Sequence, residues 1–121
     1  MSSGLLRRAA AEMRANAEGC IPGPWRVEMD EDSGQQYVVG ARDIAEVHEW
    51  STGLRNPEHI ASWHPAVALA VANWLDDTAR IADEQSAIAT SAGIPITADE
   101  YVNANDKAAL AVARAYLGAD A

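Results

Sequence analysis

The sequence predicts a single α+β domain, residues 1–121, with an N-terminal helix, a three-stranded antiparallel meander, a short helix, a long alanine-rich helix and a C-terminal helix. Three observations support this. Apolar residues recur at helical spacing before Gly19 and after Pro65, whereas a two-residue period dominates between them. The length of 121 residues, 49% of them apolar, suffices for one hydrophobic core but not for two independent ones.

The first helix is predicted from Ser2 or Ser3 to about Glu18, because small and apolar side chains recur every three or four residues. Its apolar face comprises Leu6, Ala9, Ala10, Met13 and Ala17. Gly19 is placed to end this helix. Continuation through residues 22–24, Pro-Gly-Pro, is excluded because proline has no amide hydrogen to donate.

Alternation of apolar and polar residues predicts three strands, over residues 25–29, 36–41 and 44–50. Residues 30–34 form the hairpin loop between the first two, and Arg42 and Asp43 make a short polar break before the third. In the third strand the pattern leaves open which side is buried. Strands joined by such short connections form an antiparallel meander.

A short helix should begin at Asn56, which can cap it, with Pro57 in the first turn, and should end near Trp63. We expect a break before Pro65 and then a helix of some 25 residues that Gly93 stops. Two apolar stripes follow its first half: Val67, Val71, Trp74, Thr78 and Ile81, and Ala68, Ala72, Leu75, Ala79 and Ala82. A helix this apolar is expected to lie between other elements.

The last helix begins at a capping box, in which Thr97 and Glu100 can each satisfy a backbone amide of the other. We predict one helix to about Leu117, loosened at residues 103–106, with Gly118 at its end. Its inner face comprises Ala109, Leu110, Ala113, Tyr116 and Leu117.

Eighteen acidic against nine basic residues give a formal charge of −9, which disfavours direct binding of nucleic acid because phosphate is repelled. The lone Cys20 predicts a small buried thiol in a reducing compartment. No apolar run reaches the roughly 18 residues of a membrane span, and the N-terminus lacks a signal-peptide pattern. These features predict a cytoplasmic protein that does not enter a membrane.

Two motifs carry a family resemblance: Gly23-Pro24-Trp25 after an alanine-rich helix, and residues 59–65, HIASWHP, at the start of another. The chain resembles small actinobacterial phage and prophage proteins that share a GPW turn and an HIA…P helix start, and more distantly the Ead-like phage early proteins. The resemblance covers about residues 5–82 and 111–118, although Ile21-Pro22 stands where these proteins usually have threonine. It implies a phage-type accessory protein in a bacterial host and supplies no catalytic residue.

Histidine beside carboxylate is the pattern that raises the possibility of metal or proton chemistry, and His59 and His64 follow Glu58 closely. On one continuous helix the two histidines would be about 140° apart, so a shared metal requires the break before Pro65. His48 could complete such a site. We favour structural roles, in which His64 caps the long helix and His59 is a polar residue near the core, and we assign no metal, cofactor or catalytic residue.

The tryptophans divide into two pairs. Trp25 and Trp74 are predicted to pack in the core, whereas Trp50 and Trp63 flank loops and are candidate anchors for a partner. The later half of the long helix, with Ile81, Ile88 and Ala89, lacks evident intramolecular cover. The interaction candidates are therefore Trp50, Trp63, His59, His64 and Ile88.

The first functional hypothesis is a non-enzymatic protein that binds protein, either a host protein or its own second copy, with a homodimer as the simplest assembly. A second hypothesis is an acidic inhibitor that occupies the basic groove of a host nucleic-acid enzyme, motivated by the charge of −9. A third is a metal-dependent enzyme that uses His48, His59 and His64.

Overall fold

The structure is a computed structural model and describes residues 1–47 and 56–118. Within these ranges it contains five helices and three strands. They are α1 (Ser2–Glu18), β1 (Arg26–Met29), β2 (Gln36–Val39), β3 (Asp43–Val47), α2 (Asn56–Ser62), α3 (Pro65–Ser91), α4 (Ala98–Asn105) and α5 (Lys107–Leu117). The α+β class and the predicted order of helix, strands and helices are confirmed.

The chain divides into two compact units. The helical unit comprises Met1–Arg14 and Ala70–Ala121, and the sheet unit comprises Ala15–Leu69. The limits between them fall inside α1 and α3. The single domain expected from the sequence stays a prediction.

The helical unit is built around a core of small side chains. Its buried residues are Leu6, Ala9, Ala10, Met13, Ala72, Leu75, Ala79, Ala82, Val102, Ala109, Leu110 and Ala113. Seven of these twelve are alanines, which allow helices to approach at the short end of the usual 8–10 Å range. The inner faces predicted for the first and last helices are confirmed, as is the stripe that runs from Ala68 to Ala82.

Polar contacts tie α1 to α3 and α4 within this unit. Arg7 forms an ion pair with Asp83, and Arg14 forms one with Asp76. The amide of Ser3 donates a hydrogen bond of 2.9 Å to Oδ1 of Asp99 at the start of α4. These contacts join the polar side of α1 to α3 and α4, while its apolar face packs in the core.

A complete C-terminal motif closes α3. Gly93 adopts a φ of 82°, its amide donates to the carbonyl of Thr90 at 3.0 Å, and the amide of Ile94 donates to the carbonyl of Ala89 at 2.8 Å. This pair of hydrogen bonds defines a Schellman motif, which a left-handed glycine makes possible. The expectation that Gly93 stops the long helix is thus confirmed.

The single final helix predicted from the sequence is wrong, because α4 and α5 are separate. Thr97 and Glu100 form the predicted capping box at the start of α4. Asp106 then leaves the helical region, with φ −126° and ψ 43°, and separates α4 from α5. Asn and Asp side chains compete with helical backbone hydrogen bonds, and the Asn105 amide group donates to the Tyr101 carbonyl at 3.0 Å.

The sheet unit contains the predicted meander, with strand order β1-β2-β3 and both pairs antiparallel. Val38 faces Val27 on one side and Ala45 on the other. Gly34, at φ 74°, closes the first hairpin, and its amide donates to the Asp30 carbonyl at 2.8 Å. The buried residues of this unit's core cluster are Val38 and Ala61, and Trp25, Val27, Ile44 and Ala45 pack against them.

Two sequence predictions concern the turn that enters this sheet. Trp25 packs on the core as predicted, and its indole N–H donates to the Ile21 carbonyl at 2.9 Å. The buried state predicted for Cys20 is wrong, because its side chain is exposed. Cys20 lies just beyond α1, which ends at Glu18, so it does not share the buried face of that helix.

Candidate interaction surface

An apolar stripe lies on the outer side of α3. It consists of Trp74, Ile81 and Ile88, and we call these three residues the α3 stripe. Their exposed fractions are 44%, 41% and 61%. Large apolar side chains that share one helix face and remain this accessible are typical of a protein interaction site.

The core position predicted for Trp74 is wrong. Leu75, Ala79 and Ala82 supply the face of α3 that packs in the helical unit. Trp74 precedes Leu75 by one residue, which on a helix turns its side chain about 100° away from that face. A helix that is apolar nearly all round offers two faces for burial, and the neighbouring helices cover the alanine face.

Charged side chains flank one side of the α3 stripe. We call Asp77 and Glu84 the acidic row, and Arg80 lies between them. Arg80 contacts Asp77 at 3.6 Å and Glu84 at 2.7 Å. The hydrogen bond and the negative charge of Glu84, together with Asp77, raise the pKa of Arg80 above its usual value. On this flank, Asp77 and Glu84 therefore contribute two negative charges and Arg80 contributes one positive charge.

The opposite flank carries no charge. It consists of Gln85, which is exposed, and Thr78, which is buried with only 8% of its surface accessible; we call these two residues the neutral row. The hydroxyl of Thr78 donates to the carbonyl of Trp74 at 2.8 Å, so its hydrogen bond is made within α3. The charges around the α3 stripe are therefore asymmetric: one flank is acidic and the other is neutral.

The apolar surface continues past the end of α3. Ile94 is 59% exposed and Ile96 is 36% exposed. The Schellman motif returns the chain towards α3, and the Ser86 hydroxyl donates to the carbonyl of Ile96 at 2.6 Å. In such motifs the residue after the left-handed glycine lies near the last turn of the helix, here the turn that carries Ile88.

In the sheet unit, the candidates on α2 and directly after it are accessible. Trp63 is 38% exposed and its neighbour Ile60 is 36% exposed. His59 is exposed rather than near the core, because Pro57 and Ala61 supply the buried side of this short helix. The candidate role of Trp63 and His59 as partner contacts stays a prediction.

His64 lies in the predicted break between α2 and α3. Its carbonyl accepts hydrogen bonds from the amides of Val67 and Ala68, at 3.0 and 3.2 Å. These are the ordinary first hydrogen bonds of α3, and Nδ1 of His64 is buried without a hydrogen-bond partner among the described residues, so this nitrogen does not cap the helix as predicted. The ring lies against Gly23, where an added Cβ would be 2.9 Å from Cγ of His64.

The remaining candidates, Trp50 and His48, lie outside the described residues. Among residues 1–47 and 56–118, no group of three or more histidine, cysteine or acidic side chains is arranged to hold a metal ion. A metal site that uses His48 with His59 and His64 stays a prediction, because His48 lies outside the described residues.

One open cleft of about 350 Å³ lies on the sheet. It is lined by Glu28, Met29, Asp30, Tyr37, Val39 and Asp43. Arg26 forms an ion pair with Glu28 at 2.9 Å. The three carboxylates make the cleft acidic, and a cationic group is the chemistry that it would attract.

Comparison of the chain with protein-family models, curated proteins and solved structures gives no match in any of the three. The resemblance to phage proteins consequently stays a prediction. Across the described residues, the helices are either too short or too polar to cross a membrane.

Sequence reasoning missed Trp74 as a surface residue, although the pattern that identifies it is present. Trp74, Ile81 and Ile88 are seven residues apart, and this spacing keeps side chains on nearly one line along a helix. The alanine stripe predicted on the same helix provides the competing face. Assigning the two faces correctly required the positions of α1, α4 and α5.

Proposed function

We propose that the protein is a non-enzymatic, phage-type accessory protein that acts by binding protein and that associates with a second copy of itself. The observation that carries this proposal is the exposure of the α3 stripe. Burying one isoleucine fully is favourable by roughly 1.5–3 kcal/mol, so covering these side chains supplies a substantial driving force for association. The phage context and a cytoplasmic location in the bacterial host rest on the sequence alone.

Sedimentation equilibrium over a range of protein concentrations tests the self-association. The wild-type chain should show a weight-average mass that rises from one chain towards two. Ile81→Asp should remain monomeric, because a carboxylate in an apolar contact loses its hydration without gaining a partner.

The matched control is Ala87→Asp. Ala87 lies on the same helix and is exposed, but it is about 120° from Ile81 around the helix axis. Both variants change the charge equally, so only a stripe-specific interaction distinguishes them. A wild-type chain that stays monomeric at the highest concentration, or equal behaviour of the two variants, would contradict the proposal.

A second candidate function is the acidic inhibitor of a host nucleic-acid enzyme. The charge of −9 and the carboxylates around the sheet cleft favour it. Binding to such an enzyme should weaken steeply as salt rises, because the attraction is between exposed charges. Affinity that does not change with salt would eliminate this candidate.

A further inference from the structure

We draw no further inference here: the strongest candidate, the α3 stripe on the outer side of the long helix, is the surface already used for the proposed self-association, and nothing in the part of the chain that the structure describes shows what covers it.

Discussion

Gly23→Ala should destabilise the protein because of one neighbour, His64. An added Cβ would lie 2.9 Å from Cγ and 3.2 Å from Cβ of His64, and closer still to Nδ1. Optimal carbon–carbon contacts are about 3.5–4.0 Å, so the ring or the turn must move. Gly23 is not among the glycines with positive φ, so the backbone conformation itself permits alanine.

The expected loss combines two opposing effects. Inserting a methyl group into a filled site typically costs about 1–3 kcal/mol. Replacing glycine with alanine also restricts the unfolded chain, which returns about 0.4–1 kcal/mol. We therefore expect a net decrease of about 1–2 kcal/mol in the free energy of unfolding.

Urea unfolding followed by circular dichroism measures this change. The matched control is Gly4→Ala, since a Cβ at Gly4 meets nothing within 4 Å and the residue lies inside α1. That variant should gain about 0.5–1 kcal/mol, the usual benefit of alanine over glycine in a helix.

A double-mutant cycle identifies the cause. In a His64→Ala background the imidazole is absent, and Gly23→Ala should then cost little or become favourable. If Gly23→Ala is equally destabilising with and without the imidazole, the steric explanation is wrong and the turn itself is responsible.

Three further predictions address the helical unit. Leu75→Ala should lower the free energy of unfolding by about 2–5 kcal/mol in the same assay, because Leu75 is fully buried in an alanine-rich core. Thr97→Ala should cost about 1 kcal/mol, since its hydroxyl accepts a hydrogen bond from the Glu100 amide, and thermal unfolding measures that loss. The α-amino group of Met1 and the Ser3 amide lower the pKa of Asp99. A lowered pKa stabilises the fold above the ordinary carboxyl pKa and loses that contribution as pH falls through the lowered value. Asp99→Asn should therefore be less stable than wild type at neutral pH, by less than about 1 kcal/mol because the group is partly exposed, and the difference should vanish in strong acid.

Local sequence patterns were sufficient to predict those elements that have a single apolar face, because only that face can be buried. α1 has a single apolar face, and its five predicted core residues are all buried. The capping box at Thr97 and the stop at Gly93 depend only on neighbouring residues, and both were predicted from the sequence. The meander followed for the same reason, because its turns are short and its register is local.

The errors arose where the outcome depends on distant residues or on competing local bonds. Trp74 and Leu75 are adjacent and both apolar, and only the packing of α1, α4 and α5 decides which of them is covered. The last helix was predicted to be loosened at residues 103–106. A loosened helix and a broken helix differ by only a small free energy, so the sequence did not distinguish them. At the candidate surface, Ile88 was identified because it lies in the more polar later half of the long helix, which lacks evident cover, whereas Trp74 lies within an apolar segment.

The prevalence of alanine in the helical core limits how the protein can be improved. Ala72, Ala79 and Ala82 are fully buried, so any larger side chain there must push two helices apart, at a typical cost of about 1–3 kcal/mol. Filling internal gaps with bulkier groups is a common engineering route to higher thermal resistance. At these three positions that route is closed, and a directed-evolution experiment should collect its beneficial substitutions at solvent-facing helix positions instead.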